Sequence, residues 1–329
     1  MVFAVLVVGG ITRLTHSGLS IVHWEPLTGI VPPLSETAWQ ALFEQYRASP
    51  EFRDINGAMT LEGFKPIFWW EYAHRLLGRL AGVVFLLPLL AFLYGRRIER
   101  RLALRLLGIF CLGALQGALG WFMVASGLVD DPQVSPIRLA AHLGMALLLI
   151  GLLLWTAWTL PGREAPPAPA PAAARVAVLA VFLMALTGAL VAGTHAGYVY
   201  NTFPLMGGQW VPPDVLAAGA WSKGFLANLA AVQFVHRLSA CLVIAAVLVL
   251  AWHLAARGRA GAPAARLLLA ALALQLGLGI ATLVSGVALP LAAAHQAGAV
   301  LLFASTLWAA RAAATAGAPA ASVSASAGR

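Results

Sequence analysis

The stretch EYAHRLLGRL, Glu71 to Leu80, returns as QFVHRLSACL at Gln233 to Leu242, and each copy opens a long apolar run. A glutamate, histidines and arginines at the mouth of such runs are costly unless the polar groups have a use there. The chain as a whole has 329 residues, of which 61% are hydrophobic and 10% charged, with a mean hydropathy of +0.85. Soluble domains carry about 25% charged residues, so this composition is that of an integral membrane protein. The net charge of +9 comes from short basic clusters between apolar runs. That pattern sets membrane orientation and is not that of a nucleic-acid module. Cys111 and Cys241 fall inside apolar runs and read as small core residues, with no disulfide framework.

A membrane span needs roughly 20 mostly apolar residues. Seven complete spans are predicted, at 72–95, 104–126, 138–160, 175–195, 230–254, 265–287 and 290–311. MVFAVLVVGGITRL at the N-terminus is apolar but short, and has neither the basic start nor the cleavage site of a signal peptide. It reads as the outer end of a first span whose beginning is missing, with the true start codon upstream. Arg96, Arg97, Arg100, Arg101 and Arg105 form one basic loop, and Arg257, Arg259 and Arg266 another. The alternate loops hold Asp130 and Asp131 and no base before Arg138. Both termini are therefore expected on the cytoplasmic side and the long loops 15–70 and 196–229 outside. Within the first long loop, Thr37 and Gln40 fit a capping box, and Trp39, Leu42, Phe43 and Tyr46 then share one helical face. A short helix lying on the membrane surface, anchored by its aromatics, is the expectation.

The repeat extends well beyond the opening stretch. AAHLGMALLLIGLLLW from Ala140 returns as AAHQAGAVLLFASTLW from Ala293, and GALQGALGWFMVASGL from Gly113 as LALQLGLGIATLVSGV from Leu272. The loop following His16 resembles the loop following His195. With an even number of spans per half, both halves enter the membrane in the same sense. The expected fold class is an all-α integral membrane protein with eight transmembrane helices arranged as two parallel-repeat four-helix bundles. Residues 1–160 form the N-terminal half, 161–175 a Pro/Ala cytoplasmic linker, 176–311 the C-terminal half and 312–329 a disordered tail.

The repeat brings His74, His142, His236 and His295 to one depth, each in the first turns of a span that starts outside. Imidazole alone does not identify a metal. Two histidines per half, on different helices and with no third or fourth ligand, suit the two axial positions of a haem iron. One turn beyond them stand small residues, Gly78, Ala146, Ala240 and Ala299, which would clear room for a flat macrocycle. Arg75 and Arg237 each follow a histidine and could pair with haem propionates or snorkel to headgroups. Glu71 shares a helical face with His74, whereas its counterpart Gln233 cannot ionise. The halves are thus symmetric in ligands and asymmetric in acid–base capacity. His16 and His195 correspond across the repeat and read as candidates for a supporting role. His23 and His253 read as ordinary interfacial residues.

GGITRLTHSGLSIVHWEPLTGIVPPL, FWWEYAHRLLGRL, PLMGGQWVPP, VQFVHRLSA and AAHQAGA resemble haem A synthases, in the form shared by proteobacteria and mitochondria. The resemblance covers nearly everything except the Pro/Ala linker and the tail. It implies a membrane oxidoreductase that converts the C8 methyl of haem O to the formyl group of haem A by two successive hydroxylations, for terminal oxidase biogenesis. It also implies that His74 and His142 flank the substrate haem beside an essential Glu71, which moves protons or stabilises a cationic intermediate. His236 and His295 would ligate a haem b cofactor. Haem O synthase and an electron donor or acceptor are the implied partners, and the plasma (inner) membrane the implied location. Residues 15–70 contain none of the cysteines that some bacterial members carry there, so no thiol relay is expected. GRLAG, Gly78 to Gly82, leaves a homo-oligomer open. The alternative is a di-haem cytochrome b that passes electrons without modifying its haems. It accounts for four histidines but not for Glu71 against Gln233.

Overall fold

The computed structural model describes residues 1–25, 28–129, 132–160, 170–217 and 224–315. Asp130 and Asp131, residues 161–169 of the expected linker and residues 316–329 of the expected tail lie outside them. The described residues are helical and contain no strand, with one isolated bridge between Met206 and Gln209. The helices are α1 (Val2–Leu14), α2 (Glu36–Arg47), α3 (Pro50–Asp54), α4 (Leu61–Tyr94), α5 (Arg100–Ala125), α6 (Pro136–Trp158), α7 (Ala172–Gly193), α8 (Pro213–Leu216), α9 (Leu229–Ala255), α10 (Ala262–Val284) and α11 (Leu289–Thr315). Seven of them, α4 to α7 and α9 to α11, are long and apolar enough to cross a membrane, while α1 is apolar but only 13 residues long. Helix α7 begins inside the expected linker, and α11 runs into the expected tail.

Local signals explain the helix starts. Thr60 and Asn228 accept the N–H groups of Gly63 and Ala231 at the heads of α4 and α9. Pro136 and Pro263 occupy first turns, where the missing N–H costs nothing. The cap of α2 is Ser35, whose hydroxyl accepts from Ala38, and not Thr37. Ser35 holds the extended backbone that a capping residue needs, whereas Thr37 already lies within the first turn.

Helix α1 packs on α4, α4 on α5, α5 on α6, and α6 touches α1. Similarly α7 packs on α9, α9 on α10, α10 on α11, and α11 on α7, while α6–α7 and α1–α11 contacts join the two sets. Half of the apolar window of α11 is buried against 6% for α4 and α5, so α11 is central and the latter two present open faces. Gln296 of α11 donates to the carbonyl of Leu6 and lies against Gly10, which ties the two sets together. Cys111 and Cys241, expected in the core, are free and exposed, because the faces that carry them point away from neighbouring helices.

The aromatic face of α2 does not serve as a surface anchor. Trp39, Phe43 and Tyr46 pack instead against Phe64 and Phe68, because α4 starts at Leu61, well ahead of the apolar span, and offers a wall for them. Beneath that cluster the buried Glu51 accepts from the Tyr46 hydroxyl, which in turn accepts from Asn56. Burial pushes the Glu51 carboxyl up to about 7, the Tyr46 bond opposes this, and the charge of Glu71 adds to it.

Two predictions follow from this packing. A Cβ at Gly193 would stand 2.8 Å from Cα of Pro136, so Gly193→Ala should destabilise by about 1–3 kcal/mol. Gly108→Ala, which meets nothing within 4 Å, should leave the detergent melting temperature unchanged or slightly raised. Because the native carboxyl of Glu51 binds its proton more tightly than the unfolded one, its contribution is complete below about pH 4.5 and lost as pH rises towards 7, at most about 3 kcal/mol. Amides of 36–54 should therefore exchange faster at pH 8 than at pH 5.5, after correction for intrinsic rates, and Glu51→Gln should remove that difference.

Candidate functional site

Each of the four histidines lies against a glycine of a neighbouring helix. A Cβ at Gly9, Gly120, Gly188 or Gly279 would stand 2.6, 3.0, 3.1 and 2.8 Å from Cε1 of His74, His142, His236 and His295 respectively. Only glycine allows an imidazole edge so close to a helix backbone. Gly120 and Gly279 already aligned within the repeat, but alignment alone does not show what touches a glycine. The helix pairs are α1–α4, α5–α6, α7–α9 and α10–α11, so the contact recurs across the duplication. His142 is within electrostatic reach of His74, and His236 of His295.

The ring nitrogens are held differently. Nδ1 of His74 lies 3.1 Å from the Val5 carbonyl, and Nδ1 of His236 lies 2.8 Å from the Thr187 hydroxyl, which itself donates to the Met184 carbonyl. A carbonyl can only accept, so His74 carries its proton on Nδ1 and presents the Nε2 lone pair. Thr187 imposes the same state on His236. Nδ1 of His142 and of His295 is buried without a hydrogen-bond partner. The Gln116 amide donates to the His142 carbonyl and lies 3.4 Å from its Nε2. Of the small residues expected to clear space, Gly78 faces none within 4 Å, whereas Ala146 is packed in the main apolar core.

Glu71 is 2% exposed. Its Oε2 accepts from the Ser20 hydroxyl at 2.7 Å and the Ile21 N–H at 2.8 Å, and its Oε1 from Arg75 Nε at 3.1 Å and Nη2 at 2.7 Å. Arg75 continues to the carbonyls of Ile21 and His23. In the other half Arg237 donates to Tyr200 and Thr202, the counterparts of Ile21 and His23 when counted from His16 and His195. The two arginines thus clamp equivalent loops to equivalent helices. Gln233 donates to the Tyr200 carbonyl, and its own Oε1 is buried without a partner. Val199 stands where Ser20 stands in the first half.

His16 and His195 stack across the junction of the two sets, with ring centroids 6.0 Å apart and planes within 5°. Both hold left-handed backbone, φ 51° and 60°, at the ends of α1 and α7. Arg13 donates to the Ala192 carbonyl and approaches His195 Nε2. Burial first, and Arg13 second, hold both histidines below the ordinary imidazole value.

Residues 1–307 match the family described as cytochrome oxidase assembly protein, COX15-CtaA. The chain belongs to that family. A "Heme A synthase" from Nitrosospira multiformis is 50% identical over 321 residues, covering 94% of this chain and 89% of that protein. Proteins of the same name from Nitrosomonas eutropha and Parvibaculum lavamentivorans are 48% and 47% identical, covering 94% of this chain and 90% of each relative.

Sequence reasoning singled out the histidines, Glu71 and the arginines. It missed Ser20, Thr187, and the contacts made by Gly9, Gly120, Gly188 and Gly279. The backbone approach at these glycines yields a direct test. Gly279→Val and Gly120→Val should displace their imidazoles and lower bound haem about tenfold or more, read as Soret absorbance per polypeptide in purified membranes. Gly113→Ala, in open space, should keep it.

Proposed function

We propose that this chain is a haem A synthase, a multi-pass membrane oxidoreductase that converts the C8 methyl of haem O to a formyl group. The family and the naming of relatives at about 50% identity support this activity and speak against the electron-transfer alternative. The observation in the structure that carries it is the buried Glu71 network, absent from the equivalent position in the other half. We assign the substrate haem to His74 and His142 and a resident haem b to His236 and His295. The eight helices α1, α4 to α7 and α9 to α11 then form two four-helix halves, with both termini cytoplasmic. The two recurrent sets of helix contacts and the four histidine–glycine contacts support that arrangement. The donor chemistry fits the groups at one histidine of each half, since His74 and His236, with Nδ1 anchored to an acceptor, would offer Nε2 to iron.

Methyl to formyl is a four-electron oxidation, and bound haem supplies the redox chemistry. The chain's own residues position and polarise. Four donor contacts reach the Glu71 carboxylate, two at each oxygen, so it is rigidly held. A carboxylate fixed in place by these contacts, one turn from His74, is positioned to stabilise positive charge developing there. This favours the electrostatic role over proton transfer, and Gln233 cannot supply it. Arg75 balances part of that charge and fixes the 21–23 backbone over the site, so its guanidinium serves the loop and Glu71 first. Arg237 does the same for the haem b side, and either arginine reaches a propionate only with the donors left over.

Expression with a haem O source, followed by chromatography and mass analysis of extracted haems, tests the proposal. Wild type should yield haem A or its hydroxylated precursor. Glu71→Gln should lower the rate of formation by about a hundredfold while haem b persists. Haem b alone in wild type would sink the synthase reading.

A further inference from the structure

We infer that Thr187 is a positioning residue that distinguishes His236 from its repeat counterpart His74, by spacing and orienting the imidazole through a hydroxyl inserted between ring and backbone. Counted from His16 and His195, Met184 corresponds to Val5, Thr187 to Val8 and Gly188 to Gly9. In the first half the imidazole of His74 bonds directly to the Val5 carbonyl at 3.1 Å. In the second half the equivalent carbonyl, Met184, is taken by the Thr187 hydroxyl at 2.8 Å, and the hydroxyl oxygen meets His236 Nδ1 at 2.8 Å. The His236 ring also stands farther from α7 than the His74 ring stands from α1. A Cβ on Gly9 would lie 2.6, 3.0 and 3.1 Å from Cε1, Nδ1 and Nε2 of His74, whereas on Gly188 the distances to His236 are 3.1, 3.8 and 3.9 Å.

Two consequences follow from the chemistry. Donating to Met184 polarises the Thr187 hydroxyl and strengthens it as an acceptor, so the Nδ1–H of His236 is held by a cooperative chain. A histidine whose second nitrogen donates to an acceptor is a more basic ligand with a fixed ring plane. Val8 offers no such group, which leaves His74 closer to its helix with a backbone anchor alone. The same fold thereby presents two imidazoles at different spacing from the neighbouring helix and with different second partners, one in each half. The inference rests on assigning His236 to the resident haem b.

The test compares purified wild type with Thr187→Val, Thr187→Ser and Thr187→Ala, reading haem b per polypeptide, its reduction midpoint and its low-spin electron paramagnetic resonance. Thr187→Val and Thr187→Ala should weaken haem b retention about 10–100-fold. The haem that remains should show an upward shift of midpoint and altered g-values, because a less basic imidazole favours the reduced iron. Thr187→Ser should restore all three readings. Unchanged retention, midpoint and spectrum in Thr187→Val would overturn the inference. So would a Ser variant that behaves like Val, since the methyl group and not the hydroxyl would then matter. Wild type that carries no haem b in any preparation would overturn the haem assignment itself, a separate failure.

Discussion

A carboxylate buried to 2% exposure within an apolar protein persists only if its oxygens are satisfied, and the arrangement around Glu71 follows from that constraint. Arg75 supplies the compensating charge one helical turn away, but one arginine leaves Oε2 bare. Ser20 and the Ile21 N–H fill it, which forces the loop after α1 to fold down onto α4. Arg75 then spends its other donors on that loop's carbonyls, so the ion pair and the loop hold each other in place. Breaking such a pair by removing one partner costs more than forming it gains, because the other charge is stranded.

The duplicated chain keeps this geometry while changing its chemistry. Arg237 clamps the 200–202 backbone as Arg75 clamps 21–23, so the scaffold was retained in both copies. Among the many differences between the halves, three lie in the hydrogen-bond networks described above: Glu71 against Gln233, Ser20 against Val199, and Val8 against Thr187. The first two act at one place, since the Ser20 hydroxyl donates to Glu71 and Val199 offers no such donor to Gln233. The third acts at His236, where a hydroxyl stands between backbone carbonyl and imidazole. One half thereby holds a buried, fully satisfied carboxylate and the other a neutral amide with an unpaired oxygen.

Glycine has a particular role in this design. Four helix pairs meet through an imidazole edge on a glycine backbone, which brings the histidine-bearing helix close without a side chain between them. Close approach of this kind is how helices pack where lipid removes the hydrophobic drive. The left-handed His16 and His195 end their helices at the junction between halves, and their stacking joins the two copies at repeat-equivalent positions.

The sequence by itself determined the membrane class, the seven long spans, the duplication and the four histidines, because apolar runs and internal repeats are one-dimensional patterns. It also exposed the Glu71/Gln233 difference, which needs only an alignment of the halves. It placed the α2 cap two residues late and set that helix's aromatics on a membrane surface, since nothing local shows that α4 begins at Leu61 and receives them. Only the tertiary structure decided what satisfies Glu71 and what orients each imidazole. Ser20, the Val5 carbonyl and Thr187 reach those groups from helices and loops distant in the chain, and backbone carbonyls leave no mark in a residue pattern. Which of many glycines matter was settled the same way, by the helix that lies against each one.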